Sequence, residues 1–341
     1  ERADRPTLCT NMKGRYEMKR LLTALVALLM ATLLALGLTL GTAGAEPAAR
    51  VAALKGPTAM GMVKMMSDAP DAYDFTIAAA IDEITPRLVK DEFDIAAVPA
   101  NLASVLYNNT EGAVKVLAVN TLGVLYIVEN GDTGISSISD LKGRTLYASG
   151  KGASPEYALN YLLSQNGLDP EKDVTVEYKS EHAECLASLL ANEGSVALLP
   201  QPFVTTAQMK QPSIRVALDL NDEWAKIQQG SESPSMLITG VVVARTAFID
   251  ENPEAVSAFM DAYAQSVAYA NEHVEETAAL IGQYDIVPEA VARAALPQCA
   301  IVYIDGAEMK QALSGYLQVL FDQDPASVGD AMPDEAFYFQ R

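Results

Sequence analysis

Tyr147-Ala148-Ser149-Gly150-Lys151-Gly152-Ala153-Ser154-Pro155-Glu156 passes from an apolar strand through a glycine-rich loop into a helix start. It has a counterpart earlier in the chain, Val51-Ala52-Ala53-Leu54-Lys55-Gly56-Pro57-Thr58. Two further steps of the same kind follow each. After the earlier one, Phe75 to Ala80 runs into Asp82-Glu83 and Ile95 to Val98 into Pro99-Ala100-Asn101. After the later one, Val174 to Tyr178 runs into Ser180-Glu181-His182 and Val196 to Leu199 into Pro200-Gln201-Pro202. The steps lie 26 and 17 residues apart in the first half (Gly56, Asp82, Pro99) and 31 and 19 in the second (Gly150, Glu181, Pro200). Strands that alternate with helices make open α/β sheets, and ligands of such sheets sit outside the carboxyl ends of the strands. The repeat therefore predicts two facing lobes with a cleft between them.

The lobes are expected to be mostly parallel sheets with helices on both faces. Ser154-Pro155-Glu156 reads as a helix start with Ser154 as N-cap and Asn166-Gly167 as the stop. Asn252-Pro253-Glu254 opens a second helix, whose Val256, Phe259, Tyr263, Val267 and Ala270 form an apolar stripe. The chain reads as leaving the first lobe after the strand Val124 to Val128, through Glu129-Asn130-Gly131-Asp132-Thr133-Gly134. It returns through Ser231 to Ser235 into the strand Met236 to Ala244. That makes the first lobe 48–133 plus 240–341 and the second 134–239, joined by two connections that act as a hinge.

Residues 1–45 read as an export leader. Lys13, Arg15, Lys19 and Arg20 precede the apolar stretch Leu21 to Leu40, which ends at Ala43-Gly44-Ala45, and cleavage is expected after Ala45. The stretch is also long enough to span a bilayer, so an uncleaved anchor is the competing reading. Met18-Lys19-Arg20 is the expected true start. Six of the 24 Lys and Arg and three of the 44 Asp and Glu lie in the leader, so the rest carries a net charge of −23. Such a surface repels phosphate backbones, which argues against a nucleic-acid partner. Cys185 and Cys299 are the only cysteines after the leader; they offer no metal spacing and are expected to be buried free thiols.

Leu54-Lys55-Gly56-Pro57-Thr58-Ala59-Met60-Gly61, Asp94-Ile95-Ala96-Ala97-Val98-Pro99-Ala100-Asn101 and Ile138-Ser139-Asp140-Leu141-Lys142-Gly143-Arg144-Thr145, with Gly152-Ala153-Ser154-Pro155 and the Asn252 helix start, resemble a known family. It is the type II periplasmic binding proteins of ABC transporters, in the nitrate, sulfonate, taurine and thiamine-precursor group. The resemblance covers essentially all of 48–341. It implies an exported receptor, active as a monomer, that carries a small molecule to an ABC permease and its ATPase, in the periplasm or at the extracellular membrane surface. No cofactor is implied. A cysteine after the signal, the usual lipid attachment point in Gram-positive relatives, is missing here.

Candidate ligand residues follow from the strand ends. Gly56, Pro57 and Thr58, and Gly150, Lys151, Gly152 and Ser154, enter helix amino termini whose free N–H groups favour an anion or a carbonyl oxygen. Asn101, Asn120, Thr121, Gln201 and Thr239 can each orient a polar ligand, or serve as caps and turns. Asp82, Glu83, Glu181 and His182 end equivalent second strands and would suit an amine or protonated heterocycle, or simply complement helix dipoles. Met60, Met62, Met65 and Met66 read as core rather than as an aromatic-binding wall. Trp224, the single tryptophan, is placed to report lobe closure.

Two histidines, with no paired-histidine zinc motif, phosphate-binding loop or nucleophile elbow, argue against an enzyme. Same-fold cofactor-biosynthesis enzymes and a receptor domain serving a sensor are the alternatives. The expected ligand is pyrimidine- or thiamine-precursor-like, or sulfonate-like, with the acids at the strand ends favouring the former. Amino-terminal sequencing of the exported protein is expected to begin at Glu46; a terminus that includes Lys19 would show a retained anchor.

Overall fold

The computed structural model describes residues 48–229, 231 and 234–341. The leader, Cys9 and part of the return crossover lie outside the described residues. Strands β1 (Ala49–Leu54), β2 (Tyr73–Ala78), β3 (Ile95–Pro99), β4 (Val114–Leu122), β5 (Leu125–Asn130), β6 (Thr145–Ser149), β7 (Thr175–Lys179), β8 (Val196–Pro200), β9 (Ile214–Asp219), β10 (Ile238–Arg245) and β11 (Ile301–Ile304) alternate with helices. They form a six-stranded sheet, β11-β4-β10-β3-β1-β2, and a five-stranded one, β7-β6-β8-β5-β9.

The sequence repeat is visible as two parallel triads. β1 lies between β2 and β3, with Val51 opposite both Phe75 and Ile95. β6 lies in the same way between β7 and β8, with Leu146 opposite Val176 and Val196. Beyond the triads the sheets are mixed rather than mostly parallel. β10 runs antiparallel between β3 and β4, and β5 antiparallel between β8 and β9. Each triad thus receives, beside its third strand, the strand that arrives from the other lobe.

That pairing moves the first crossover. Leu125–Asn130, read from the sequence as the end of the first lobe, pairs with β8 and β9, so the chain changes sheets at Gly123-Val124. The turn-rich segment Glu129 to Gly134 lies inside the second lobe instead. Glu129 is buried there, paired with Arg215 and accepting from the Thr133 backbone N–H at 3.1 Å.

The helix Ser154–Gln165 is capped by Ala153, with Ser154 as its first residue rather than its N-cap, and it stops at Asn166. Asn252 precedes the helix Pro253–Glu272, and Val256, Phe259, Tyr263, Val267 and Ala270 are all buried. Met60, Met62, Met65 and Met66 pack with Val256, Phe259, Tyr263 and Val267 in one core. A second core is continuous from the first sheet (Val98, Val241) to the second (Leu146, Leu198) by way of Leu313, Tyr316 and Leu317 of the helix Gly306–Gln323. Trp224 joins it, its ring 4.6 Å from Tyr161 and 5.6 Å from Tyr316 and its Nε1 donating to the Ser235 carbonyl at 3.2 Å. Cys185 and Cys299 are buried and free.

At the end of the first sheet remote from the strand carboxyl ends, Asp94 accepts from Arg50 Nη2 at 2.6 Å, the Arg50 backbone N–H at 2.9 Å and Arg245 Nη2 at 2.8 Å. Burial alone would raise the Asp94 carboxyl, but the hydrogen bonds from Arg50 and Arg245 outweigh it and hold it at about 2. The Asp94 side chain is 8% exposed and that of Arg50 39%, so the network is worth less than a fully buried one. Asp94→Asn is expected to cost about 2 kcal/mol at neutral pH, measured as urea unfolding. Because the folded carboxyl titrates below its ordinary value near 4, the wild type should lose this stability as pH falls from about 4 towards 2. The variant should change less there, and a gap that stays constant across the window would contradict this role.

Candidate functional site

β1, β3, β6 and β8 each lead, directly or through a short loop, into a helix, and those ends converge between the lobes. The helix Pro57–Met60 follows β1, Ala100–Asn109 follows β3, Ser154–Gln165 follows β6 and Phe203–Lys210 follows β8. First-turn N–H groups have no partner inside their own helix, so the convergence brings together backbone donors and positive helix ends.

A cavity of about 100 Å³ lies at this junction. Lys55, Gly56, Pro57, Thr58, Pro99, Thr121 and Thr239 line it from the first lobe, and Leu125, Pro155, His182, Pro200 and Gln201 from the second. An adjoining space of about 80 Å³ shares Leu54, Pro99, Pro155 and His182 and adds Ser149, Gly150, Ser180 and Glu181. Outside both, a vestibule of about 390 Å³ opens between Lys55 and Asp285 to Pro288 on one side and Glu181, His182, Phe203, Thr206 and Lys210 on the other. His182 borders all three.

Gly56 adopts φ +140°, and a Cβ placed on it would meet nothing within 4 Å, so this backbone is open to the cavity. Gly150 has φ +78°, with Pro155 Cγ only 3.2 Å from where a Cβ would stand. His182 Nδ1 lies 2.6 Å from Ser149 Oγ. Burial pushes the imidazole down to about 4, so it is neutral at pH 7. Lys55 Nζ approaches Asp285 to 3.8 Å, where both side chains reach solvent.

Of the residues singled out from the sequence, Gly56, Pro57, Thr58, Thr121, Gly150, Glu181, His182, Gln201 and Thr239 line these spaces. Others have a different place. Asp82 and Glu83 are exposed, and Glu83 Oε1 accepts the N–H groups of Ala79 and Ala80 at 3.1 and 2.9 Å, closing its own turn. Asn120 is buried and accepts from Thr121 Oγ1 at 3.1 Å. Lys151 is exposed, its Nζ 5.9 Å from the Tyr178 ring centre.

Asn101, Gly152 and Ser154 are consumed by contact between the lobes. Ser154 Oγ donates to Asn101 Oδ1 at 3.2 Å, and Asn101 Nδ2 donates to the Gly152 carbonyl at 3.2 Å and the Ser327 carbonyl at 3.0 Å. Gln201 Nε2 makes a second such contact, donating to Gln298 Oε1 at 3.0 Å. Sequence reasoning missed Ser149, Lys55 and the wall prolines Pro99, Pro155 and Pro200. Four of them are the last strand residue or the first after it, which is the signal that could have found them, whereas Pro155 is marked by its place in the first turn of a helix.

The family model for the ABC transporter, phosphonate, periplasmic substrate-binding protein matches residues 65–288. Among solved structures, the chain is similar to an ABC transporter from Parabacteroides distasonis (24% identity, covering 86% of this chain and 98% of that one, TM-score 0.70). It is similar to the periplasmic aliphatic sulphonate binding protein SsuA from Escherichia coli (16% identity, 85% and 91% covered, TM-score 0.66). It is also similar to the periplasmic nitrate-binding protein NrtA from Synechocystis PCC 6803 (12% identity, 81% of each chain, TM-score 0.61). Comparison with curated protein sequences gives no match. The match spans well over half of the sequence, and the two facing triads with their cleft are the architecture of these neighbours: the chain belongs to the periplasmic substrate-binding proteins of ABC transporters.

Proposed function

We propose that the protein captures a small polar organic solute in the cavity between its lobes, closes over it, and hands it to an ABC permease driven by its ATPase. The observation that carries this reading is the convergence of β1, β3, β6 and β8 on one space lined from both lobes. No bond is made or broken; the work is enclosure and release. Gly56, Pro57, Thr58, Thr121, Thr239, Gly150, Glu181, His182 and Gln201 are the proposed ligand contacts. Asn101, Gly152 and Ser154 are proposed instead to hold the closed state.

The lobes are proposed to hinge at Gly123-Val124 and at the return before β10, with the chain exported and acting as a monomer outside the cytoplasm. Among the described residues no helix is long and apolar enough to cross a membrane. The ligand classes in view are a pyrimidine- or thiamine-precursor-like heterocycle, favoured by neutral His182 and Glu181, and small oxyanions such as the phosphonate, sulphonate and nitrate named for the family and its neighbours. Asp82 and Glu83 no longer argue for the heterocycle.

Thermal unfolding of the purified protein against pyrimidines, thiamine, taurine, alkanesulfonates, phosphonates and nitrate tests the reading. At a hundredfold excess over its Kd, a true ligand adds about 2.7 kcal/mol and raises Tm by several degrees. A panel without any shift would count against capture. Gly56→Val, which puts a branched side chain into the cavity at a φ that disfavours it, is expected to abolish the ligand-induced shift while the far-ultraviolet circular dichroism stays native. Gly150→Val should act similarly through its clash with Pro155, and normal ligand shifts in both variants would place the site elsewhere.

A further inference from the structure

We propose that the solute in this cavity is an uncharged, compact molecule that presents N–H or O–H donors to it, rather than an oxyanion. The proposal rests on the receptor reading above and concerns the chemistry of the same site.

The argument is an account of hydroxyl protons. A threonine hydroxyl has one proton and two lone pairs. Thr58 Oγ1 donates to the Leu54 carbonyl at 2.9 Å, Thr239 Oγ1 to the Leu122 carbonyl at 2.7 Å and Thr121 Oγ1 to Asn120 Oδ1 at 3.1 Å. All three threonines of the cavity spend their protons on the protein, so only lone pairs remain for a ligand. Gln201 is engaged at both ends of its amide: Nε2 donates to Gln298, and Oε1 accepts from the Thr205 N–H at 3.3 Å and from Thr205 Oγ1 at 2.9 Å. A ligand that can only accept would therefore meet acceptors.

The walls agree. Pro57 and Pro155 stand in the first turns of their helices, where each replaces a backbone N–H that could greet an anion with a carbon ring. Pro99 and Pro200 add two more apolar faces. Among the described residues Lys55 is the single Lys or Arg on the cavity, and its ammonium leans towards Asp285 at the solvent-facing mouth. The backbone N–H groups of Gly56, just before the short helix Pro57–Met60, and of Thr58 within it are the donors on this wall. They suit one carbonyl or ring nitrogen, but burying a full negative charge requires many more compensating bonds. His182 completes the set. Either partner of its 2.6 Å contact with Ser149 can carry the shared proton, so Nε2 can present a lone pair or an N–H as the ligand needs. The carboxylate on the adjoining space, Glu181, adds another acceptor.

Isothermal titration calorimetry on the purified protein with 4-amino-2-methylpyrimidine and with 2,4-dimethylpyrimidine, alike in size but differing in the N–H donors, tests this directly. Ethylphosphonate, ethanesulfonate and nitrate are titrated alongside. The aminopyrimidine is expected to bind at least about tenfold more tightly than the dimethyl compound. Its affinity should not change between low salt and about 0.5 M salt. Thr58→Val should weaken it roughly tenfold, whereas Thr58→Ser, which keeps the acceptor, should stay within about threefold. Tighter binding of any of the anions, or equal affinity for the two pyrimidines, would overturn the proposal while leaving the receptor reading intact. No binding by any of the five compounds would count against both.

Discussion

Parallel strands force their connections to run to the same end of a sheet, and in this protein two such sets of ends are turned towards each other. β1 with β2 and β3, and β6 with β7 and β8, deliver every strand-to-helix turn of the two triads to one gap. The gap is lined by turn residues because turn residues are what parallel strands leave at their carboxyl ends. Cavity shape, the neutral histidine and the row of prolines are all consequences of this arrangement. The antiparallel strands β5 and β10, laid against the third strand of each triad, tie the halves together without closing the gap.

The lobes touch through a small set of neutral hydrogen bonds. Asn101 to Ser154 and Gly152, and Gln201 to Gln298, are contacts worth about 1 kcal/mol each after their desolvation is counted. The continuous core under the helix Gly306–Gln323, with Trp224 against Tyr316, is the more durable link. Ser154 stands beside Tyr316, so the hydrogen-bonded contacts and the packed seam adjoin each other. In the proposed closure, a solute worth a few kcal/mol would be enough to set the balance between open and closed forms. Far from the gap, the Arg50–Asp94–Arg245 network anchors the opposite end of the first sheet, so stability and capture are carried by different residues.

The architecture was readable because strands and helix starts announce themselves locally. Pro155 and Asn252-Pro253 mark helix entries by a ring that fits the first turn, and the stripe from Val256 to Ala270 buries as its spacing requires. What failed was whatever depended on partners distant in sequence. Glu129 to Gly134 looks like a linker because it is polar and glycine-rich, yet Arg215, far along the chain, makes a buried anchor of Glu129. The strand Leu125–Asn130 carries no mark of which sheet it will join, and only pairing with β8 and β9 decides it. Asn101 and Ser154 sit where ligand contacts belong but find each other across the lobes first, which no single-loop reading can foresee. Asp82 and Glu83 follow a strand end but stay at the surface. Proline at a strand end (Pro99, Pro200) or in a first helical turn (Pro57, Pro155) reads as punctuation in sequence, whereas in space the four become a wall.

A high-resolution crystal structure of the protein with its solute bound tests the account most directly. It should show the solute enclosed between the Gly56 turn and His182, in hydrogen-bond contact with the Thr58 and Thr239 hydroxyl oxygens. The first lobe also carries a hollow of about 390 Å³ away from this gap, between Lys64, Asp68, Tyr73 and Tyr269. A solute found in that outer hollow, with the interlobe cavity left to water, would contradict the account.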